Sequence, residues 1–269
     1  MKKLLLPDVT LCAASSVNVE QTIYAMKQCQ AGIAFGRTIL LTDADCPQAS
    51  AEMDVINIPP LRSGAEYSSF IIERLPDYIE TDFVLLVQWD GFILNPKLWD
   101  PQFREHDYIG ARWPQFKDCR CVGNGGFSLR SRALLQACLD PDFKVSHPED
   151  VAICRDNRTL LEEKFGLKFA APSLADRFSF ERLKPEQPTF GFHGAFNIPR
   201  TMGAANFWDA YQTLDDKSSL FTDFWAILRD AIRQGSQAGW ARTLRMTTSF
   251  SRDYIRYRRA VKRAKSDQR

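Results

Sequence analysis

A chain of 269 residues, 45% hydrophobic and 25% charged, has the makeup of a globular protein with a full core. It contains no run of about 18 apolar residues, which excludes a membrane-spanning helix. Pro7 and Asp8 interrupt MKKLLLPDVTLCAASS too early for a secretion signal. The net charge of +2 hides an asymmetry, with +8 on residues 237–269 and −6 on residues 1–236. A basic end on an acidic body points to contact with anionic surfaces, but the body has no readable basic face for nucleic acid. Seven scattered cysteines, only Cys119 and Cys121 close together, predict free thiols in a cytoplasmic protein.

In chain order, Val9–Ala14 reads as a first strand. A helix follows from Asn18, with Val19, Ile23 and Met26 at helical spacing. Thr38–Leu41 is a second strand that runs into Thr42, Asp43, Ala44 and Asp45, just before Cys46-Pro47. Val55–Ile58 is a third, stopped by Pro59-Pro60, and Ser63–Tyr78 reads as a helix with Phe70, Ile71 and Leu75 inward. Phe83–Val87 is a buried strand that leaves the core through Gln88, Trp89, Asp90 and Gly91. Strands alternating with helices argue for βαβ units and a mostly parallel sheet.

After Asp90 the pattern changes to short strands and Pro/Gly loops, DYIGARWPQF and VGNGGFSLRS. A helix is expected from about Ser131 to Leu139. Pro148-Glu149-Asp150 opens another that ends near Gly166. Residues 168–198 read as irregular chain with one short strand before FGFHGAFNIPR. The simplest division is one α/β domain over 1–236 and a basic helical tail over 237–269.

Five groups of residues carry chemistry, and for Asp90 as for the others a plainer reading exists, there an Asp-Gly turn. Asp43 and Asp45 form an Asp-x-Asp after the second strand, as hard oxygen ligands for a diphosphate-bound cation or as turn residues. Asp90 holds the better position, because open α/β sheets bind ligands at the carboxyl ends of their strands. Gly123, Gly125 and Gly126 surround Asn124 but precede a strand, so the dinucleotide and P-loop readings fail. They suit either close backbone approach to a polar ligand or a bulged hairpin turn. Glu149 and Asp150 suit acid–base work, and equally a helix start, where the dipole favours acids. His193, beside Gly194 and near Asn197, is a ligand candidate or a satisfied core histidine.

Taken together and in order, QWDGF, DYIGARWP, VGNGGFSLRSR, PEDVAICR and FGFHGAFN resemble a bacterial domain-of-unknown-function family described as glycosyltransferase-like. The resemblance runs over about residues 8–200 and leaves the tail outside. It implies an α/β GT-A-like fold, with a Rossmann-type, mixed but mostly parallel sheet flanked by helices. It also implies an inverting glycosyltransferase, a hexosyltransferase of polysaccharide assembly, with a nucleotide-sugar donor and a glycan or lipid-linked acceptor. Asp150 would be the catalytic base, with Glu149 beside it on the acceptor. Asp90 and His193 would hold Mn²⁺ or Mg²⁺, although Gln88 stands where the family pattern has its first acid. Gln88, Trp89, Asn124, Gly125, Gly126 and Asn197 would bind substrate, and Thr42, Asp43, Ser63 and Tyr67 the nucleotide. A non-catalytic sugar-binding module and a retaining transferase are the alternatives, since fold alone decides neither.

In the tail, Trp240, Leu244, Tyr254, Tyr257 and Val261 fall roughly on one helical stripe, with Arg242, Arg256, Arg259, Lys262 and Arg263 around it. That pattern predicts peripheral contact with an anionic membrane on its inner face. A solvated helix is the plainer reading.

Overall fold

The computed structural model describes residues 3–267 apart from 47, 50 and 235–238. Pro47 of the Asp43–Asp45 loop, and residues 237, 238, 268 and 269 of the tail, therefore lie outside the described residues. The chain forms two compact units, Met1–His193 and Gly194–Arg269. The division expected at 236/237 falls inside the second of them.

The first unit begins with β1 (Leu4–Ala14), α1 (Val19–Gly32), β2 (Ile33–Thr42), β3 (Asp54–Asn57), α2 (Gly64–Glu73) and β4 (Phe83–Val87). β1 starts earlier than expected, with a register shift against β2 between Leu6 and Thr10. Pro7 lies in that shift and has no N–H to give to a ladder. The expected helix over Ser63–Tyr78 stops at Glu73 and continues as a 3₁₀ turn, Leu75–Tyr78. Pro76 cannot extend an α-helix, because its ring excludes the carbonyl four residues back. At the other end Ser63 Oγ accepts the Glu66 N–H at 3.1 Å and caps α2.

β5 (Phe92–Ile93), β6 (Tyr108–Ile109), β7 (Phe127–Ser131) and α3 (Arg132–Ala137) follow. The helix expected from Pro148 to Gly166 is broken into α4 (Glu149–Val151), a π-turn over Ala152–Asp156 and α5 (Arg158–Phe165). The Asn157 N–H reaches back five residues to the Ala152 carbonyl at 2.9 Å. Its side chain bonds Ala152 and Lys144, which ties the break to the preceding loop. Gly166 ends α5 in the left-handed region at φ 68°, where glycine costs least. Residues 168–198 hold more order than expected: α6 (Pro172–Phe178), β8 (Ser179–Phe180) and β9 (Gly191–Phe192).

The main sheet has the order β3-β2-β1-β4-β7-β6. Its first four strands are parallel, and β7 runs antiparallel to both β4 and β6. A smaller sheet has the order β5-β9-β8. One core cluster packs Cys12, Ile39, Leu41, Val84 and Leu86 of the sheet against Phe70, Ile71 and Leu75. On α1, Val19, Ile23, Met26 and Cys29 are buried at the expected helical spacing.

The second unit is helical: α7 (Ile198–Met202), α8 (Ala204–Thr213), α9 (Ser218–Thr222), α10 (Phe224–Arg233) and α11 (Trp240–Asp267). α11 buries Thr243, Met246 and Phe250. Further along, Tyr254 stacks on Phe224 at 4.0 Å between centroids, and Tyr257 packs on Phe221 at 5.0 Å. The stripe read from the tail sequence is thus divided, because its tyrosines face α9 and α10. Among the described residues no helix is long and apolar enough to cross a membrane.

Candidate active site

From β1 the chain moves outward to β2 and β3 on one side, then returns to lay β4 on the other. The carboxyl ends of β1 and β4 are therefore a topological switch point, the crevice where open α/β sheets take ligands. Asp90 leaves the core there. The Gln88 N–H donates to the Gly126 carbonyl at 2.9 Å, and the Gly91 N–H donates back to Gln88 at 3.1 Å, closing a tight turn. These bonds clasp the exit of β4 to the glycine loop that leads into β7.

Four side chains meet around His193. Its Nε2 lies 3.2 Å from Asp90 Oδ1 and 3.3 Å from Gln88 Oε1. Its Nδ1 lies 3.1 Å from the Asn124 amide and 3.7 Å from Glu181 Oε1. Asp90 and His193 are far apart in sequence, so the β5–β9 pairing of Phe92 with Phe192 is what brings them together. Burial pulls the imidazolium down, but Asp90 and Glu181 outweigh it and raise His193 to about 10. Turning the Asn124 amide by half a rotation would bring its oxygen, otherwise without a hydrogen bond, onto a protonated Nδ1. Gly126 is required here, since a Cβ would stand 2.0 Å from His193 Nε2. Tyr67 joins through its hydroxyl, which accepts from Gln88 Nε2 at 3.0 Å.

Gly125, between Asn124 and Gly126 of the same loop, holds the second group. The Gly125 N–H donates to Asp150 Oδ2 at 2.9 Å, and the Val151 N–H donates to Oδ1 at 2.8 Å. Burial and the neighbouring Glu149 charge raise Asp150 from 3.8 to about 6, against the lowering effect of these N–H groups and Arg130. Asp150 as a whole residue is half-buried, and both its carboxyl oxygens accept backbone N–H bonds.

Glu149, expected beside the acceptor, lies in a buried ion pair. Its side chain is 7% exposed, and Oε1 accepts from Arg130 Nη2 at 2.9 Å. The Arg130 guanidinium is fully buried, bonds Ser128 Oγ through Nε at 3.0 Å and lies 5.3 Å from the Tyr108 ring centroid. A Cβ at Gly125 would come within 2.0 Å of Glu149 Oε1. Glu149 is thus the acid of a buried ion pair, held behind the loop.

The other expected site residues are distributed less tightly. Trp89 is half-buried beside Asp90. Thr42 is buried at the end of β2, where its Oγ1 accepts from the Ala44 N–H at 3.2 Å, and Asp43 is exposed in the same turn. Ser63 is occupied in capping α2. Asn197 belongs to the second unit. No motif in the sequence singles out Arg130 or Glu181. Arg130 alternates with Phe127 and Leu129 and so reads as solvent-facing, and Glu181 opens the polar run ERLKPEQP. In both, the available signal was the ionisable residue itself, in or directly after a short apolar strand.

The sequence profile of the family described as Protein of unknown function (DUF5672) matches residues 51–193, just over half of the chain. The chain belongs to that family. The matched segment ends at His193 and takes in Asp90, the glycine loop and Asp150. No curated protein matches the chain in sequence. Similar solved structures include an active-site mutant of LgtC, 15% identical with a TM-score of 0.45, covering 79% of this chain and 99% of that one. Another is the apo-form glycosyltransferase GlyE of Streptococcus pneumoniae TIGR4, 13% identical with a TM-score of 0.43, covering 71% of this chain and 54% of that one. A third is glucosyl-3-phosphoglycerate synthase from Mycobacterium tuberculosis, solved with Mn²⁺, UDP and phosphoglyceric acid. It is 12% identical with a TM-score of 0.42, covering 60% of this chain and 66% of that one.

Proposed function

We propose that this chain is an inverting glycosyltransferase, transferring a hexose from a nucleotide-sugar donor to a hydroxyl of a glycan or lipid-linked acceptor. One observation carries the reading. The tripeptide Asn124–Gly126, at the carboxyl edge of the sheet, bonds the Asp150 carboxyl, raised to about 6, on one side and an Asp–His–Gln cluster on the other.

Asp150 takes the proton of the acceptor hydroxyl as that oxygen bonds to the anomeric carbon. On the opposite face the bond from this carbon to the diphosphate oxygen breaks, and its electron pair leaves with the nucleotide diphosphate. A carboxyl near 6 is ionised at neutral pH yet more basic than an ordinary aspartate, as a general base requires. Glu149 does not touch the acceptor in this scheme. After burial, its neighbouring carboxylate is the second cause of the raised proton affinity of Asp150, and Arg130 holds it there.

Asp90 beside a diphosphate requires a positive charge between them. Among the described residues no group of three or more His, Cys, Asp or Glu could hold a metal ion. Asp90, His193 and Gln88 fit a partial shell instead. Asp90 Oδ1 and Gln88 Oε1 stand 3.2 and 3.3 Å from His193 Nε2, close enough that the three side chains would share one divalent cation. When bound, Mn²⁺ or Mg²⁺ would supply positive charge against the departing diphosphate. The raised His193 favours a second reading, in which the imidazolium itself stabilises that charge. Proton and metal compete for Nε2, so the two readings differ in how pH affects Mn²⁺ binding.

Isothermal titration with a panel of nucleotide sugars, with and without Mn²⁺, tests the donor site. Stereochemical analysis of the product tests the mechanism. Asp150→Asn should bind donor normally and lose about 10²–10⁴ in turnover, the range for removal of a general base. A product with retained anomeric configuration rejects inversion, and donor binding without any turnover supports a sugar-binding module.

A further inference from the structure

We infer that the second unit carries a docking face for an anionic lipid surface, formed by neighbouring stripes of α10 and α11. This goes beyond the active-site reading and does not depend on it.

On α10, Trp225, Leu228 and Ile232 lie within about 60° of one another at 3.6 residues per turn. On α11, Trp240, Leu244, Ser251 and Ile255 do the same, on a face beside the buried stripe of Met246 and Phe250. Trp225 is 72% exposed, Trp240 67% and Leu244 65%, and Ile232 and Ile255 are each about half exposed. Leu228, Ile232, Ser251 and Ile255 share one groove whose rim holds Arg252, Arg256 and Arg259. Such a cluster of large apolar side chains is uncommon on a protein surface that faces only water.

Charge selects the partner. Arg245, Arg252 and Arg259 make no ion pair among the described residues, while Arg256 is 3.8 Å from Asp253. Two acids of these helices are engaged with other partners. Asp230 is 8% exposed and accepts from Arg200 at 2.8 Å, and Asp253 accepts from the Tyr211 hydroxyl at 2.6 Å. Tryptophan and branched aliphatic side chains rimmed by arginine match the interface of a bilayer with anionic headgroups. The rings and aliphatic groups enter the acyl boundary, and the arginine stems lie along it with their charges among the phosphates. The face differs from the tail stripe expected from sequence, because Tyr254 and Tyr257 are packed on Phe224 and Phe221 while α10 supplies Trp225, Leu228 and Ile232.

The test is co-sedimentation of the full chain with vesicles of phosphatidylcholine and phosphatidylserine, against vesicles of phosphatidylcholine alone, over a range of salt. Pelleting should require phosphatidylserine and weaken as salt rises and screening shortens. Arg252→Ala should lower the apparent partition coefficient about fivefold, the factor for about 1 kcal/mol per basic residue. Trp225→Ala and Leu244→Asp, at positions open to solvent, should abolish pelleting while the circular dichroism spectrum is unchanged. Ile255→Asp provides the same test at an independent position. Absence of pelleting at low salt, equal pelleting with neutral vesicles, or pelleting that survives all three apolar substitutions would overturn the inference. A concentration-dependent dimer broken by these substitutions, without vesicle binding, would also overturn it and assign the face to a second copy of the chain.

Discussion

Replacing Asp150 by Asn separates the energetic role of this carboxyl from its chemistry. In the folded chain Asp150 is raised from 3.8 to about 6, by burial first and by Glu149 second. Its ionisation therefore opposes folding, by about 3 kcal/mol once both states are fully ionised. The folded value lies above the unfolded one, so this contribution to stability is complete below pH 3.8 and is lost as pH rises through about 6. Asparagine carries no such dependence. It gives up one of the N–H bonds from Gly125 or Val151, a loss of about 1–2 kcal/mol that does not vary with pH. The stability of Asp150→Asn relative to the parent should therefore rise by about 2 kcal/mol between about pH 4.5 and about pH 7.5. Urea unfolding midpoints for both proteins across that range measure it, alongside turnover at neutral pH. A difference that stays flat with pH refutes the raised carboxyl. A pH-dependent difference with undiminished turnover refutes its role as the base.

Three further outcomes are expected. Arg130→Met should destabilise by about 3–5 kcal/mol, because it leaves the Glu149 carboxylate buried without its partner. Adding Glu149→Gln should recover part of that loss in denaturant unfolding, whereas purely additive effects would deny the coupling. Gly126→Ala should cost about 1–3 kcal/mol and weaken donor binding, because its Cβ would meet the His193 ring. Thermal unfolding and donor titration would read the two effects. In the metal-free protein His193 should remain charged through neutral pH, and its contribution to stability, complete below pH 6.5, should be lost as pH rises through about 10. An NMR titration of the ring would follow this, and Asp90→Asn should bring the midpoint down.

The sequence by itself determined the four parallel strands of the main sheet. Alternating apolar runs and helical spacing marked β1 to β4, and Phe83–Val87 forms with the ends read from its residues, because a short apolar run bounded by polar turn residues has one good way to bury itself. Asp90, the glycine loop, Asp150 and His193 were legible as separate motifs, since each combines an ionisable or flexible residue with the end of an element. Tertiary structure decided what those motifs touch. The pairing of β5 with β9 brings His193 to Asp90, and neither strand is longer than two residues, too short for any periodic pattern. Arg130 looks solvent-facing because Ser128 and Arg130 alternate with Phe127 and Leu129. The fold covers both faces of β7, so the alternation that marks a half-exposed strand misled there. Glu149 and Asp150 are neighbours of the same type in the same turn of helix, and nothing local separates their roles. The difference arises because the Arg130 guanidinium from β7 reaches one carboxylate and two backbone N–H groups hold the other. An acid's function follows from its burial and its partners, and these are properties of the packed chain.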